Sequence, residues 1–469
     1  MIGEGDGVLR RRAASLLSPL GRRFGSLLSP LSIPEFRRLW AADVISLLGD
    51  WAGRLALTVL VFERTGSAAW ATGVIAVSLA GFVGIGQVLA TLADRYSRIN
   101  VMLVADVARA GLFAAMLISM PVGGLLVLAF LAGLATPPFE AARAAAMPDL
   151  VPEERYGDAL ALAGISVQSS LVVGSALGGL LLTVVEPSVA LAINAASFLV
   201  SALFLLGLRD SAAARPSQRR DSVGSSLREG GAALFGDRMV RRALSIVCVT
   251  GALGMVVEAL VVPYAASIDL PKDLLGVLAA AVPVGTLIGT AIVAVGVRAH
   301  STLLRNAAYC CIVAAGGAAP LFWIGADGAL AFVAFLVAGG MFAVSIPTNI
   351  VIGLRLPRDR RASAMGIAVG LLMGSQAIGA AFGGLAATVV GEAEAISGAL
   401  ALAVAFGLWA LVTNPSDAKH LVRPRPRPAS PLVIVDLVAL EALAASEALA
   451  ASEALAASEA EESVPVSTH

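Results

Sequence analysis

Runs of about twenty apolar residues, each bounded by charge or turn residues, recur along this chain and leave few folds open to it. A helix rises about 1.5 Å per residue, so about 20 residues cross a hydrocarbon core of about 30 Å. Twelve such runs are read as spanning helices, at residues 39–62, 69–92, 99–119, 122–146, 157–185, 187–208, 243–267, 273–297, 301–324, 328–353, 362–390 and 395–413. Of the 469 residues, 58% are hydrophobic and 14% charged, and mean hydropathy is +0.86, so the apolar surplus must face lipid. The expected class is an all-α integral membrane protein.

Orientation follows from the basic residues, because Lys and Arg are retained on the cytoplasmic side of a membrane. With the N-terminus inside, 29 of the 33 fall on the cytoplasmic side; Arg64 and Lys272 fall outside, and Arg54 and Arg109 lie within spans. The loops assigned to the outside carry acids instead: Glu63, Glu186, Asp269, Asp273, Asp327, Glu392 and Glu394. Trp40, Trp70, Trp323 and Trp409 land near predicted interfaces, as an aromatic belt requires, and Trp51 does not. Both termini are therefore expected in the cytoplasm.

The inventory of reactive residues argues against an enzyme. Cys248, Cys310 and Cys311 lie in apolar runs without disulfide or zinc spacing, and His300, His420 and His469 fall in polar segments. Lysine occurs at Lys272 and Lys419, neither of them after a glycine-rich loop, so direct use of ATP is not expected. There is no G-x-S-x-G and no H-E-x-x-H. No metal or cofactor is expected, and the zero net charge gives no reason to expect nucleic acid as a partner.

The chain divides into a basic N-terminal segment (1–38), a six-helix bundle (39–208), a linker (209–242) with eight arginines, a second six-helix bundle (243–413) and a low-complexity tail (414–469). An offset of 205 aligns Gly174, Gly178 and Gly179 of the fifth span with Gly379, Gly383 and Gly384 of the eleventh, and Pro152 and Arg155 with Pro357 and Arg360. This is the pattern of an internal duplication. The N-terminal segment repeats Ser-Leu-Leu-Ser-Pro-Leu among arginines and suits an anionic inner leaflet. In the tail, Glu-Ala-Leu-Ala-Ala-Ser repeats every six residues, which turns each Glu about 120° around a helix and leaves no apolar face.

Three stretches carry a family resemblance. Ala90-Thr-Leu-Ala-Asp94-Arg95-Tyr-Ser-Arg98-Ile99, after the second span, resembles the G-x-L-x-D-R-x-G-R-[RK] loop of the major facilitator superfamily. Arg143-Ala-Ala-Ala-Met-Pro148-Asp149-Leu-Val-Pro152 and Val104-Ala-Asp106-Val-Ala-Arg109 resemble its branch of enterobactin exporters and macrolide efflux pumps. Ala90, Ser97 and Ile99 depart from the first pattern, and the corresponding loop around Arg298 is nearly unrecognisable. The resemblance implies two pseudo-symmetric six-helix bundles, a place in a bacterial inner membrane, monomeric action on a small molecule, and a loop cluster, Asp94, Arg95 and Arg98, that helps hold an outward-open state. The alternative for Arg98 is ordinary positive-inside charge. Ser170-Leu-Val-Val-Gly174-Ser175-Ala-Leu-Gly178-Gly179 is similar to the antiporter motif G-x-x-x-G-P-x-x-G-G, with serines at its first Gly and its Pro. Small residues four apart permit close helix approach, whether for rocking or for simple packing.

Charge inside a bilayer is costly, so its default meaning is a cavity or an ion path. Asp43, Asp50 and Arg54, seven and four residues apart, are expected to face one way, with Asp50 near mid-bilayer. Glu258 lies in the seventh span, the counterpart of the first. The resemblance places a substrate cavity between the bundles, lined partly by these two spans. The expectation is a secondary active exporter of small amphipathic molecules in which Asp50 or Glu258 binds a proton; the alternative for Asp50 and Arg54 is a static ion pair. Asp106 with Arg109, and Glu140 with Arg143, read as self-neutralising pairs three residues apart. Gln87, Gln168, Asn194, Asn349 and Gln376 are further polar candidates. An importer of the same fold, or a non-transporting membrane scaffold, are the rival readings.

Overall fold

The computed structural model describes residues 27–208, 223–296, 303–323, 328–357 and 360–413. The arginine-rich start of the linker, Arg298, most of the N-terminal repeats and the six-residue repeats of the tail lie outside them. The first half comprises α1 (Pro34–Thr65), α2 (Ala68–Ala80), α3 (Ile85–Ala90), α4 (Leu92–Arg95), α5 (Arg98–Ala115), α6 (Val122–Leu150), α7 (Glu153–Val184) and α8 (Pro187–Leu206). A connecting helix, α9 (Val223–Gly236), precedes α10 (Arg238–Ala259), α11 (Val261–Ser267), α12 (Lys272–Gly296), α13 (Leu303–Trp323), α14 (Gly328–Gly339), α15 (Ser345–Arg355), α16 (Arg361–Val390) and α17 (Glu392–Thr413). Because α2 to α4, α10 with α11, and α14 with α15 each form one crossing, the helices fill twelve crossing positions.

Ten crossings are long and apolar enough to span a membrane by length and composition. The other two are α5 and α13, at the third and ninth positions. Arg98, Asp106 and Arg109 lie within the 18 residues of α5, and Arg305 and Asn306 within the first turn of α13. Helix ends follow local chemistry. Gly66, at φ 60°, closes α1 by donating its N–H to the Phe62 carbonyl at 2.8 Å, and the Asp237 carboxylate accepts from the Met239 and Val240 N–H groups at the start of α10.

The two halves repeat one packing scheme. In the first, α1 packs on α7 and α8, α5 on α6 and α8, and α2 on α6. Six crossings later, α10 packs on α16 and α17, α13 on α14 and α17, and α12 on α14. The halves meet where α2 packs on α16 and α7 on α12, two contacts that exchange under the same six-crossing shift. Exposed apolar side chains such as Val184, Phe382, Val389 and Val412 cover the outer surface, as a lipid-solvated protein requires.

The glycines aligned at offset 205 occupy matching environments. A Cβ on Gly174 or Gly178 would press into Leu48, Trp51 and Ala52 of α1, and one on Gly379 or Gly383 into Ala252 and Val256 of α10. Gly179 and Gly384 instead face the opposite half. The first abuts the Gly276 backbone of α12, and the second abuts Ala69 and Thr72 of α2. Call the side on which α1 begins the terminal face, and the side on which it ends the distal face. Both approaches lie toward the distal face, where Glu63 also pairs with Lys272 across the halves at 2.7 Å. Nearer the terminal face, Gly370 and Gly374 of α16 meet only the side chains of Gln87 and Val83. The halves are thus drawn together most tightly on the distal side.

Three crossings are interrupted. The second breaks after Ala80, where Gly84 adopts φ 63°; the tenth passes through a 3₁₀ segment, Gly340–Val344; the seventh breaks at Leu260. At the tenth, hydrogen bonds from Thr286 to Gly339 (3.0 Å) and from Cys310 to Gly340 (3.3 Å) engage carbonyls at the break. At the seventh, Pro263 supplies no N–H to the Ala259 carbonyl, so the ladder is interrupted one turn past Glu258.

Candidate functional site

Asp50 sits midway along the 32 residues of α1 and pairs with Arg54 one turn on, at 3.2 Å. Both side chains are about a fifth exposed, at 23% and 21%, and the Arg54 guanidinium lies over the Trp51 ring at 4.6 Å. They open onto a cleft together with Val74, Ser78, Phe113 and Thr136. Its lining comes from α1, α2, α5 and α6 of the first half, with Arg109 included and Phe82, at the α2 break, alongside. A cavity shared between the bundles was the expectation, and this cleft lies within one of them. Across the halves, Glu258, in the last turn of α10 before the Leu260 break, lies within electrostatic range of Arg54. Asp50 and Arg54 thus sit at the middle of α1 beside the cleft, and Glu258 sits on the corresponding helix of the other half, next to its break.

Asp43 departs from expectation. Although it shares a helical face with Asp50, it is buried inside the first half, where its Oδ2 accepts from Arg143 of α6 at 3.0 Å. Two turns nearer the start of α1, that face meets α6 rather than the cleft. Arg143 also holds Glu140 at 2.5 Å, so the pair three residues apart is in fact a triad that bridges two helices. Asp106 and Arg109 do pair, at 2.5 Å, with Asp106 fully buried and Arg109 at the edge of the cleft. Ser201 of α8 donates to Asp106 at 2.6 Å, and the guanidinium packs between the rings of Phe139 (4.7 Å) and Phe198 (4.4 Å). Neither Ser201 nor those rings stood out in the sequence. A buried pair needs such partners, which was the available signal.

In the loop after the second crossing, Arg95 is exposed at the end of α4, and the Asp94 side chain lies outside what the structure describes. Arg98 pairs with Asp149 at the end of α6. The two loop sequences that carry the resemblance thus meet each other, within the first half. Arg155, at the start of α7, donates to Ser32 at 3.0 Å, and its counterpart Arg360 pairs with Glu229 of α9 at 3.7 Å. Each holds the segment leading into the first helix of its own half. Among the amides, Asn194 packs against Gly49 and Gly53 of α1, Gln376 faces Gly251 of α10, and Gln87 donates to the Phe82 carbonyl at 3.1 Å.

Two six-helix halves that share one packing scheme, the first of them holding buried ion pairs, define a polytopic helical membrane fold. A profile of the Major Facilitator Superfamily matches residues 39–368, and the chain belongs to that family. It is 27% identical over 383 residues to an uncharacterised MFS-type transporter, YfiS, of Bacillus subtilis (strain 168), covering 80% of this chain and 92% of that one. It is 26% identical over 180 residues to macrolide efflux protein A of Streptococcus pyogenes, covering 36% and 43%. Among solved structures, a POT family transporter in complex with 5-aminolevulinic acid superposes with a TM-score of 0.67 at 12% identity, covering 83% and 96%. A bacterial homologue of the human lysosomal transporter Spinster, inward-facing and unoccupied, gives 0.63 at 14% identity, covering 81% and 97%. At such identities the structural likeness concerns the fold alone.

Proposed function

We propose that this protein is a proton-coupled exporter of small amphipathic molecules that works as a monomer by alternating access in a bacterial inner membrane. The observation that carries the reading is the Asp50–Arg54 pair at the middle of α1, opening onto a cleft, with Glu258 of the other half within electrostatic range of Arg54. In a bilayer, loss of water favours the neutral form of a carboxyl and a nearby cation favours its ionised form. A substrate entering beside Glu258 or Asp50 changes both influences, so its binding is linked to release of a proton. The gradient supplies the energy, and no cofactor takes part. Export is supported by the similarity to the macrolide efflux protein over 180 residues.

The basic residues assign the terminal face to the cytoplasm, so the tight distal contacts correspond to a state closed to the outside. Reporter fusions near Glu186 and Glu392 are expected to read as external. The test of transport is accumulation of a macrolide and of a cationic dye in a strain lacking the gene, with the protein or Glu258→Gln expressed, with and without a protonophore. Wild type should lower accumulation until the protonophore is added, and Glu258→Gln should not. A Glu258→Gln protein that still expels the probe against its gradient with unchanged pH dependence removes Glu258 from the mechanism.

A further inference from the structure

The sequence carries a motif that the transport reading leaves unused. Arg11-Arg12-Ala-Ala-Ser15-Leu-Leu-Ser18-Pro19-Leu20 and Arg22-Arg23-Phe-Gly-Ser26-Leu-Leu-Ser29-Pro30-Leu31 match at eight of ten positions, eleven residues apart. The structure describes the second copy from Leu27 onward and shows it seated on the first half, where Ser29–Ser32 form a 3₁₀ turn packed on α1 and α7. Pro30 is buried, and Leu27, Leu31 and Ile33 pack against a buried cluster that includes Phe36, Val151 and Leu208. Arg155 of α7 donates to the Ser29 carbonyl (3.4 Å) and the Ser32 hydroxyl (3.0 Å), and Arg37 of α1 donates to the Leu31 carbonyl (3.4 Å). The second half has a seat of the same design, filled by the end of α9. There Arg241 of α10 donates to the Phe235 carbonyl, six residues back as Leu31 is from Arg37, and Arg360 holds Glu229.

Nearly everything the seat grips is present twice. Leu16, Pro19 and Leu20 can supply the apolar contacts of Leu27, Pro30 and Leu31, and the carbonyls of Ser18 and Leu20 can replace those of Ser29 and Leu31. What the first copy lacks is the hydroxyl, because Gly21 stands where the second has Ser32. We propose that this seat on the terminal face is a binding site for the Ser-Leu-Leu-Ser-Pro-Leu segment with two ligands in the same chain. The second copy fills it in the state described, and the first copy, eleven residues upstream, replaces it. The tether permits the exchange: with the first copy seated, residues 21–33 close the gap that residues 32 and 33 otherwise close, and the closure cost of a loop grows only as the logarithm of its length. The longer loop and the lost hydroxyl bond together favour the second copy by about ten- to a hundredfold. The exchange carries Arg22 and Arg23 from before the seat to after it, so it shifts basic charge along the foot of α1 and leaves the crossings as they are. It is independent of what the protein transports.

The test is the distance between two spin labels in the purified full chain, with Cys248, Cys310 and Cys311 replaced. Leu28 of the seated copy is 50% exposed and Leu160 of α7 is 55% exposed, so labels at these two positions give the distance that marks a filled seat. A label at Leu17, the counterpart of Leu28, paired with Leu160 should show that same distance in about a tenth of the molecules or fewer. Ser32→Gly, which removes the second copy's advantage at the hydroxyl, should raise that fraction several-fold. Pro30→Asp, which puts a charge where Pro30 is buried, should make it the main component. Adding Pro19→Asp to Pro30→Asp should abolish it and lower the unfolding temperature below that of either single variant. A Leu17 distribution without the seated distance in both Ser32→Gly and Pro30→Asp, or in Ser32→Gly alone where Pro30→Asp does not fold, overturns the proposal. So does a seated component that is lost on dilution with unlabelled chain, since the copy would then sit on a neighbouring molecule.

Discussion

Gly179→Ala is the substitution whose consequence the structure specifies most narrowly. A Cβ at that position would run into the Gly276 backbone of α12 in the other half, and backbone cannot rotate away as a side chain can. Inserting a methyl into a filled contact costs about 1 to 3 kcal/mol. That cost applies only while the halves are closed on the distal face, because the two glycines belong to different halves. At about 1.4 kcal/mol per factor of ten, the ratio of distal-closed to distal-open molecules should fall by about 5- to 150-fold. Val184 and Val389 are exposed, occupy matching places near the distal ends of α7 and α16, and are related by the offset of 205. Spin labels at these two positions, in a chain with Cys248, Cys310 and Cys311 replaced, report the opening as a distance. Gly179→Ala should add a longer component to the distribution. Gly384→Ala should add less, since its nearest neighbour is the rotatable Thr72 hydroxyl. Gly174→Ala is the control, because its Cβ would meet Trp51 Cβ at 2.8 Å and the Leu48 carbonyl at 3.1 Å inside one half. It should lower thermal stability and leave the distances alone. A folded Gly179→Ala protein with the wild-type distance distribution would refute the claim that this contact closes the distal face.

Removing Arg143 should be far worse than removing the charge of its partner. Arg143→Ala leaves two acids without their counter-ion, and loss of one member of a buried pair costs about 3 to 5 kcal/mol, whereas Asp43→Asn removes the excess charge and keeps an acceptor for Arg143. Thermal unfolding in detergent should rank wild type and Asp43→Asn close together and Arg143→Ala well below, and equal losses would contradict the role of Arg143 as counter-ion to both acids. At the distal rim, Lys272→Glu turns the Glu63 attraction into repulsion; with the Lys272 side chain 78% exposed, the shift toward the open distance distribution should stay under about 1 kcal/mol and vanish at high salt.

What the sequence disclosed and what it hid have separate physical causes. Hydrocarbon thickness forces crossings to a common length, so the helical positions were readable without any contact being known. The halves were readable for a related reason, since a glycine at a helix crossing is defined by what it lacks. Gly174, Gly178 and Gly179 and their counterparts mark the same three contacts in each half. The seventh-crossing break was also written in the chain, at Pro263, but an apolar run conceals a proline that a hydropathy window averages over. Asp43 was misplaced because a helical wheel gives direction around an axis and says nothing about which neighbour stands at each height. Residues 43, 50 and 54 do share a face, yet that face meets α6 at Asp43 and the cleft at Asp50. The Arg98 to Asp149 pair was hidden in the same way, its two ends lying in separate loops that looked self-contained. The bridge from Arg143 to both Asp43 and Glu140 emerges only when pairs close in three dimensions. Among the described residues, every charged residue of these clusters belongs to the first half except Glu258, which lies within electrostatic range of Arg54.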